Sequence, residues 1–355
     1  MVTYRLATTS DYPKINEFHN RNDKPNRTLQ DFNWEFLEGP FGESIYVIAE
    51  DNGEIVGTNC VIPIDLIHSN GNVIKSGKSE DTLVDPRYRG QNIFQNIYSF
   101  LFEECKKKEI TLIWGFTSAT KAFKKIGFEV PFYQHQGLAV HAVIPSYNFL
   151  KKLNSKNKFS DKCKIFGLTL YSFFKFNLSL NKHNFSFSLQ EKIDDSNFSE
   201  LLIQHNLESS NDCFAIHQNS NYQKWRIYNN PNYFKKHTFL VFNQARLCVA
   251  IIEVNSTKDN ISFINQSTFH PDLTDTMRVV IIRTITKLLF KKGSINVRNW
   301  LFNTSELNIK ETKNFQNSGY FFLERGMAMV WKNLDENKVN PFDFYLSRIA
   351  SQGIF

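Results

Sequence analysis

The sequence predicts a mixed α/β protein built from two copies of one structural unit. Strand-like and helix-like segments alternate along the chain, which is the pattern of α/β folds. A Trp-x5-Pro spacing occurs twice, in FNWEFLEGP around Trp34 and in YQKWRIYNNP around Trp225. A hairpin pattern follows each one, from Tyr46 and from Thr238. The offset is 191 residues at the tryptophans and 192 at the hairpins, so we interpret the chain as a tandem repeat.

The first unit is expected over residues 1–145, with the element order β-α-(α)-β-β-β-α-β-α-β. Its first helix has Thr9 or Ser10 as the expected N-cap, and the hairpin SIYVIAEDNGEIVGTNCVIPI turns at residues 51–53. IFQNIYSFLFEECKKK has apolar residues at helical spacing and a basic last turn, and ITLIWGF has the pattern of a buried strand. The short helix in TSATKAFKKIGF stops at Gly127. These elements predict one α/β domain.

The second unit is expected over residues 201–355, with a connecting segment over 146–200. The connecting segment contains the basic stretch KKLNSKNKFSDKCK and then IFGLTLYSFFKFNLSL, an apolar run over 165–180 with one lysine. Packing between the two domains and a homodimer face are the ordinary explanations for such a run. Contact with a membrane surface is the third explanation. The residues alone leave all three open.

Composition and charge limit the classes of function. The chain has 355 residues, of which 41% are hydrophobic and 22% charged, as in a soluble globular protein of two domains. A net charge of +7 suits an anionic ligand, but we expect no nucleic-acid partner because the charge is small and scattered. The five cysteines lack metal-ligand spacing and favour a reducing, cytoplasmic location. We expect neither a secretory leader nor a membrane-spanning helix.

Several catalytic motifs of other enzyme classes are missing from the sequence. It contains no G-x-S-x-G, no H-E-x-x-H, no C-x-x-C and no Walker-type G-x-x-x-x-G-K. A hydrolase, a zinc enzyme or a nucleoside triphosphatase therefore has little support, and we expect no metal.

A strand-to-helix junction, VDPRYRGQNIF over 84–94, is the strongest chemical signal. A helix N-terminus leaves backbone N–H groups unpaired and carries about half a positive charge. Gly90 permits a ligand to approach the backbone closely, and Arg87 and Arg89 add charge that pairs with phosphate oxygens. The junction predicts a diphosphate site, with a surface turn that bears solvated arginines as the alternative.

The pattern V-x-P-x-x-R-G-x-x-I-x in this junction resembles the acyl-CoA-binding motif of GCN5-related N-acetyltransferases, the GNAT superfamily. The order of elements agrees well over residues 1–140 and weakly over 210–355. The resemblance implies two tandem acyl-CoA N-acyltransferase folds, each with a mixed central sheet flanked by helices. It also implies acetyl-CoA or another acyl-CoA as co-substrate and a small-molecule amine as acceptor.

The same resemblance implies the cofactor-binding positions. The diphosphate would meet the backbone N–H groups of Arg89, Gly90, Gln91, Asn92, Ile93 and Phe94, and the pantetheine arm would lie along Leu83 and Val84. Two positions depart from the family pattern, because Asn92 replaces a second glycine and Phe94 replaces a small residue. Asn92 tolerates a positive φ. Phe94 is expected to shift the helix start and loosen the loop.

The resemblance also implies where the proton-accepting base lies. In the family, the strand before the loop commonly carries the base that takes the proton of the acceptor amine, which here implies Glu80 or Asp81. Solvated carboxylates at the end of a strand are the alternative. His135, in FYQHQG, is a second candidate base.

The proton donor for the leaving thiolate is missing from its usual place. The family often has a tyrosine before the K-x-G-F run, and this chain has Phe123 there. A phenyl ring has no proton to give. Tyr88, Tyr133 or water would therefore supply the proton, or the thiolate leaves without help.

The second unit has FHPDLTDTMRV (269–279) at the equivalent junction, without the glycine and the arginine pair. Asp272 and Asp275 in that stretch would cap the helix and repel a diphosphate. We therefore expect this unit to have lost CoA and to help wall the acceptor pocket. Trp225 and Arg226 would line that pocket, or they are a core tryptophan and a surface arginine.

These patterns together predict an acyl-CoA-dependent N-acyltransferase. The acceptor implied by the resemblance is an amino sugar or a nucleotide-linked amino sugar of bacterial polysaccharide biosynthesis. A protein or peptide amine is an alternative acceptor. A degenerate module that binds CoA or a sugar without turnover is the alternative from another class.

Overall fold

Strands and helices alternate in the computed structural model, which describes residues 1–23, 26–132, 140–145, 163, 166–167, 170–171, 173–176, 185–190, 198–210, 212–323, 328–336 and 339–350. The strands are β1 Thr3–Leu6, β2 Ile45–Asp51, β3 Glu54–Pro63, β4 Leu66–His68, β5 Val73–Ile74, β6 Ser76–Val84, β7 Leu112–Thr117, β8 Glu129–Phe132, β9 Val140–Pro145, β10 Ser186–Gln190, β11 Phe214–Ile216, β12 Lys235–Phe242, β13 Cys248–Ser256, β14 Ile261–Phe269, β15 Asn296–Leu301, β16 Phe321–Leu323 and β17 Ala328–Asn333. The helices are α1 Tyr12–Asn22, α2 Leu29–Phe36, α3 Ile93–Lys107, α4 Thr120–Lys125, α5 Phe198–Glu208, α6 Ser220–Gln223, α7 Asp275–Lys291 and α8 Glu306–Asn317.

Two seven-stranded mixed sheets form the centre of the molecule. The first has the order β1-β2-β3-β6-β7-β17-β8, and the second has the order β10-β12-β13-β14-β15-β9-β16. The pairs β6–β7 and β14–β15 are parallel, and the other neighbours are antiparallel. A small sheet, β11-β4-β5, joins the two units. The expected class, a mixed α/β protein with two similar units, is confirmed.

The two units exchange one strand each. β17 comes from the second unit but lies in the first sheet, where Val330 pairs with Gly115 of β7. β9 comes from the first unit but lies in the second sheet, where Ala142 pairs with Asn299 of β15. The expected boundary after residue 145 therefore separates β9 from the sheet that it completes. Each sheet is closed only by a strand from the other half of the sequence.

The paired tryptophans of the repeat meet at the centre of the molecule. The Trp34 Nε1–H donates to the Trp225 carbonyl oxygen at 2.7 Å, and the Trp225 Nε1–H donates to the Trp34 carbonyl oxygen at 2.6 Å. Phe116 and Phe302 are equivalent residues near the ends of β7 and β15. Their ring centroids lie 5.7 Å apart. Reciprocal contacts between equivalent residues are the mark of a twofold axis. The tandem repeat is therefore arranged as a pseudo-dimer within one chain.

Arg226 lies beside this axis and is not a surface residue. Its side chain is buried, and its guanidinium carbon is 5.5 Å from the Trp34 ring and 5.3 Å from the Trp225 ring. Its Nε–H donates to the Ile349 carbonyl oxygen at 2.9 Å. The expectation of a core tryptophan holds for Trp225, but the expectation of a solvated arginine next to it is wrong. Cation–π contacts and a backbone acceptor keep the charge in the interior.

Two helix starts in the first unit follow local hydrogen bonds. α2 begins after Thr28, whose hydroxyl accepts from the Asp31 N–H while the Asp31 carboxylate accepts from the Thr28 N–H. This reciprocal pair is a capping box. α1 begins after Asp11 and not after Thr9 or Ser10 as expected. The Asp11 carboxylate is already engaged with β1 and the preceding turn, so the chain turns into the helix one residue later.

Helices cover both faces of each sheet. On the first sheet, α3 and α4 pack around Tyr98 and Phe128 on one face, and α1 and α2 pack around Phe18 and Phe36 on the other. On the second sheet, α7 and α8 cover one face and α5 the other. The core under α1 and α2 continues across the pseudo-twofold axis to Trp300 of β15. No helix in the part of the chain described above is long and apolar enough to cross a membrane.

A carboxyl group lies fully buried in the second sheet. Glu253 is 0% exposed, and burial raises its pKa from 4.5 to about 8, against one hydrogen bond from the Gln223 side chain. Glu311 of α8 behaves alike, because burial raises its pKa to about 7. An acid with a raised folded-state pKa binds more protons when folded than when unfolded. Its contribution to the free energy of unfolding is therefore lost as the pH rises from about 4.5 to 8.

We expect Glu253→Gln to make the protein more stable above pH 7 and to flatten its stability-versus-pH curve. The gain at pH 8 relative to pH 5 should be at least about 1.4 kcal/mol, which is the equivalent of one pKa unit. Urea unfolding at several pH values measures it, with the exposed Glu208→Gln as the matched control. Parallel curves of stability against pH for the wild type and Glu253→Gln would contradict the prediction that Glu253 is buried in its neutral form.

Candidate functional site

A wedge opens between two parallel strands of the first sheet. β6 pairs with β7 only from Ser76 to Lys78. At Gly115 of β7 a Cβ would lie 2.9 Å from the Ser79 carbonyl oxygen, so glycine keeps the two strands together at this last point. From Glu80 onward, that edge of β6 has no strand beside it in the described part of the chain. Ligands of α/β proteins bind at such openings beyond the carboxyl ends of strands.

A β-bulge shapes the edge of β6 at the wedge. Thr58 of β3 pairs with Leu83, whereas Cys60 pairs with Glu80. One residue of β3 thus faces two residues of β6, Asp81 and Thr82, which is the definition of a bulge. Asp81 has φ 54°, in the left-handed region that a residue with a Cβ seldom adopts. The bulge changes the direction of the β6 side chains at the point where the strand borders the wedge.

The loop after β6 presents a row of unpaired amides. α3 begins at Ile93, and its first backbone hydrogen bond is from the Asn96 N–H to the Asn92 carbonyl oxygen at 3.0 Å. Within the described residues, no acceptor faces the N–H groups of residues 90 to 95. The Arg89 N–H, by contrast, donates to the Pro86 carbonyl oxygen at 3.4 Å. The N–H groups from Gly90 to Gln95 thus form an open cradle at the position where the sequence predicts a diphosphate site.

Two residues of the loop adopt positive φ. Gly90 has φ 85°, and the space where its Cβ would lie is empty. Asn92, the residue before α3, has φ 59°, which asparagine accepts more readily than most residues. Successive N–H groups in such a turn converge on one side and form an anion-binding concavity. The departure from the family pattern at Asn92 is therefore accommodated by the backbone.

The two arginines of the loop have different partners. The Arg87 guanidinium forms an ion pair with Asp85 at 2.8 Å, and this arginine holds the pKa of the Asp85 carboxyl below its usual value. Arg89 is exposed and makes no ion pair with any residue that the structure describes. Arg87 therefore fixes the turn, and Arg89 is the charge that remains for a ligand.

Phe94 turns away from the loop and into the core. Its ring lies 4.8 Å from the Tyr98 ring and 5.4 Å from the Phe123 ring, measured between centroids. α3 also approaches β3 closely, because a Cβ on Gly57 would lie 2.9 Å from both Ile93 and Ile97. Phe94 thus anchors the first turn of α3 over the sheet, and the helix begins at Ile93 despite the bulky residue. Leu83 and Val84, the expected pantetheine-facing residues, are half-buried at the wedge.

Glu80 lies at the wedge with a buried lysine as its partner. The Lys78 Nζ forms an ion pair with the Glu80 carboxylate. The Lys78 side chain is 3% exposed and that of Glu80 is 20% exposed, so only the carboxylate reaches solvent. Burial lowers the pKa of Lys78, and the neighbouring Glu80 partly opposes that shift. Glu80 is a partly exposed carboxylate at the border of the wedge, as a proton acceptor requires.

Asp81 is enclosed by donors. Its carboxylate oxygens both lie 2.8 Å from the Arg27 Nη1, and the Tyr46 hydroxyl donates to Oδ2 at 2.5 Å. The His19 Nε2 is 3.3 Å from the same oxygen. The pKa of Arg27 is raised, because the Asp81 charge outweighs the effect of burial. These contacts give Asp81 a structural part in holding the bulge, and they leave little room for an incoming proton.

Tyr88 is bound to the hairpin and not to the wedge. Its hydroxyl donates to the Asp51 Oδ2 at 3.1 Å, and this bond raises the pKa of Tyr88. Asp51 is the last residue of β2, at the turn of the hairpin. Tyr133 and His135, the other sequence-derived candidates, lie outside the described residues.

A buried hydroxyl that the sequence did not single out reaches the bulge. The Tyr98 hydroxyl lies 2.8 Å from the Ser79 Oγ and 3.1 Å from the Thr82 Oγ1, and the Asn59 amide donates to the same Thr82 oxygen. Tyr98 is 0% exposed, and burial raises its pKa well above the usual value. It therefore acts as a hydrogen-bonding group and not as an acid. Helical periodicity predicts only that Tyr98 faces the core. It gives no sign of the polar contact that its hydroxyl makes there.

The second unit closes its equivalent loop with its own side chains. Between Pro271 and α7 there are only three residues, and the Thr274 hydroxyl accepts from the Met277 N–H at 3.3 Å. The Arg278 guanidinium donates to the carbonyl oxygens of Leu273 and His270. The helix is thus capped by Thr274, and not by the two aspartates as expected. Asp275 is the first residue of α7, where its charge favours the helix dipole.

The C-terminal tail fills the second wedge. β14 pairs with β15 from Ile261 to Ile264, and the strands then separate as β6 and β7 do. The Leu346 N–H donates to the Asn308 side chain, which donates back to the Leu346 carbonyl oxygen. The Arg348 guanidinium donates to Asn265 at 2.8 Å. The tail therefore packs between β14 and β15, while a cavity of about 740 Å³ lined by Pro271, Arg278 and Lys310 remains at the start of α7.

Comparison with known proteins agrees with the fold. The family model described as an acetyltransferase (GNAT) domain matches residues 3–131. A search of curated proteins found no match. Among solved structures, a probable N-acyltransferase of unknown function from Enterococcus faecalis V583 superposes with a TM-score of 0.63 at 9% identity, over 94% of this chain and 73% of that one.

Two further structures share the fold over nearly the whole chain. A GCN5-related N-acetyltransferase from Anabaena variabilis has a TM-score of 0.62 at 9% identity, over 94% of this chain and 73% of that one. A tandem GNAT protein from the clavulanic acid biosynthesis pathway has a TM-score of 0.57 at 9% identity, over 95% of this chain and 100% of that one. At such identities the likeness shows the fold, and here it is the tandem fold.

Proposed function

We propose, from the match of an acetyltransferase (GNAT) domain model to residues 3–131, that this chain transfers an acyl group from acyl-CoA to an amine, with acetyl as the first group to test. The open cradle of the first unit is the observation that carries the proposal. Six consecutive backbone N–H groups, from Gly90 to Gln95, lie beside the exposed guanidinium of Arg89. A diphosphate is the CoA group that such a cradle fits.

The remaining residues fit roles in acyl transfer. The wedge would admit the pantetheine arm along Leu83 and Val84, so that the thioester reaches the bulge. Glu80 would take a proton from the acceptor ammonium, and the neutral amine would attack the thioester carbonyl carbon. The C–N bond forms and the C–S bond breaks. The proton that the attacking nitrogen loses then passes through water to the thiolate, since Phe123 has none to donate and Tyr88 is bound to Asp51.

We propose an amino sugar, free or nucleotide-linked, as the first acceptor class to test. The support is the resemblance of the tandem architecture to proteins of bacterial surface-sugar biosynthesis, which is an argument from fold. A protein or peptide amine is the second class, and it uses the same neutral-amine chemistry. A cytoplasmic location, in which acyl-CoA is available, is part of the proposal.

Calorimetric titration with acetyl-CoA, followed by thiol release in the presence of an amine panel, tests the function. We expect one binding site per chain, because the C-terminal tail packs between β14 and β15 of the second unit. Thiol release that depends on one class of amine identifies an enzyme and its acceptor. Binding without release for any amine would identify a module without turnover. Absence of binding would overturn the proposal.

We expect Glu80→Gln to lower kcat by about 10²- to 10⁴-fold, the usual worth of a positioned base. The Kd for acetyl-CoA should not change, because the cradle amides do not depend on this carboxylate. The double change Lys78→Met with Glu80→Gln removes the uncompensated lysine and is the control for stability. A wild-type rate and pH profile in Glu80→Gln would exclude this residue as the base and leave the cradle proposal intact.

A further inference from the structure

One segment of the chain is strongly basic. Residues 151–190 contain eight lysines and one aspartate, and no arginine or glutamate. The whole chain has 42 basic and 35 acidic residues, so the other 315 residues hold 34 of each. The segment therefore has a net charge of +7, and the other 315 residues are balanced as a whole.

An exposed apolar stripe lies within the same segment. The described residues between 163 and 176 have helical backbone. Phe166, Leu170, Phe173 and Phe174 are 65%, 42%, 61% and 67% exposed. Their spacing of four, three and one residues places them on one face of a helix. A group of large apolar side chains at such exposure marks a contact surface.

The second unit holds this segment at Phe176. Phe176 packs against the core under α7, and the Lys287 ammonium of α7 lies 5.3 Å from its ring. The Lys175 ammonium lies 5.7 Å from the Tyr171 ring. The exposed Lys291 and Lys292 follow at the end of α7. Lys175 and Lys287 thus lie beside aromatic side chains of the same segment.

We propose that this stripe docks on the surface of an anionic lipid bilayer, with Phe166, Leu170, Phe173 and Phe174 inserted between headgroups. Phenylalanine and leucine on one face with lysines around them are the pattern of helices that lie in the membrane interface. Anionic headgroups attract clustered lysines over about one Debye length. No segment has to cross the bilayer for this binding.

The charge also argues against a second copy of this chain as the occupant. A symmetric dimer through this surface would bring two segments of like charge together. The repulsion between them would oppose the burial of the aromatic side chains. An anionic bilayer removes this conflict, because the same lysines then face opposite charge. The proposal does not depend on the acyltransferase function.

Co-sedimentation of the full chain with vesicles tests the docking surface. We expect binding to vesicles of phosphatidylcholine with phosphatidylglycerol, weak binding to phosphatidylcholine alone, and weaker binding at high salt. Phe173→Ser with Phe174→Ser should lower the partition coefficient at least about tenfold through lost apolar burial. Phe234→Ser with Leu247→Ser removes two side chains of similar exposure, 61% and 63%, and should stay within about twofold of wild type.

Several outcomes would overturn the proposal. One is equal pelleting of the Phe173 and Phe174 variant and the wild type. Another is equal binding to neutral and anionic vesicles. A dimer that sediments in solution and is lost in the same variant would assign the surface to a second copy instead. Unchanged circular dichroism and unchanged acetyl-CoA titration in both variants show that each is folded.

Discussion

Arg89→Glu combined with Gly90→Val is expected to abolish acetyl-CoA binding, with a loss in affinity of more than about 100-fold. Valine at the φ of 85° found at residue 90 is strained and displaces the neighbouring amides. Glutamate at residue 89 puts a negative charge where a diphosphate would lie and removes its exposed guanidinium partner. Loss of two charge-assisted contacts, at roughly 1.5–3 kcal/mol each, gives this magnitude. Calorimetric titration measures it.

The chain offers a matched control for this double change. Gly71 has φ 87° with no atom near the position of a Cβ, and Arg246 is an exposed arginine of the second unit. Arg246→Glu with Gly71→Val therefore repeats the change in charge and the backbone strain at sites away from the loop. We expect wild-type affinity from this control. Wild-type affinity from the Arg89 and Gly90 variant as well would show that CoA does not use the cradle.

Asp81→Asn is expected to destabilise the protein by about 3–5 kcal/mol. The Asp81 side chain is 0% exposed and that of Arg27 is 6% exposed, so the amide would leave a buried guanidinium without its counter-charge. The Tyr46 hydroxyl would also lose its charged acceptor. Urea denaturation followed by circular dichroism gives the change in the free energy of unfolding. A loss below about 1 kcal/mol would mean that the network does not hold the bulge.

Two further variants separate the buried charge from other effects. Glu109→Gln is the same carboxylate-to-amide change at an exposed pair with Lys75, where the side chains are 76% and 53% exposed. It should cost no more than about 1 kcal/mol. Arg27→Met with Asp81→Leu removes both buried charges and should be less damaging than Asp81→Asn alone. A double variant as unstable as the sum of its single changes would contradict this coupling.

The backbone of the loop after β6 could be predicted because its signal is local. Glycine at residue 90, asparagine at 92 and the apolar helix period from Ile93 all lie within one short stretch, and each constrains its own backbone. The repeat could be found for the same reason, since Trp34 and Trp225 keep the same spacing to a following proline. Local propensity and spacing are the levels at which one sequence is most informative.

The partners of Asp81 could not be predicted, because they come from distant parts of the chain. Arg27 is 54 residues away in sequence and Tyr46 is 35 residues away. The sequence predicts a carboxylate at the end of a strand, and such a residue is usually solvated. The bulge turns it inward. Arg226 shows the same effect, since only the pseudo-twofold axis places it over Trp34.

The exchanged strands could not be predicted either. β9 and β17 have strand patterns that fit either sheet equally well, because hydrophobic alternation specifies a face and not a neighbour. The choice between sheets depends on contacts of high sequence separation. Once both sheets are formed, β9 pairs with β15 and β17 with β7 along six residues each.

The exchange of strands between the two units limits which deletions the gene tolerates. A fragment that ends before residue 140 lacks β17, and a fragment that begins after residue 145 lacks β9. Each fragment would expose two unpaired strand edges in the middle of its sheet, and unpaired edges favour aggregation. A deletion or a domain shuffle that spares only one half therefore leaves an incomplete sheet. Selection on either half must preserve the other.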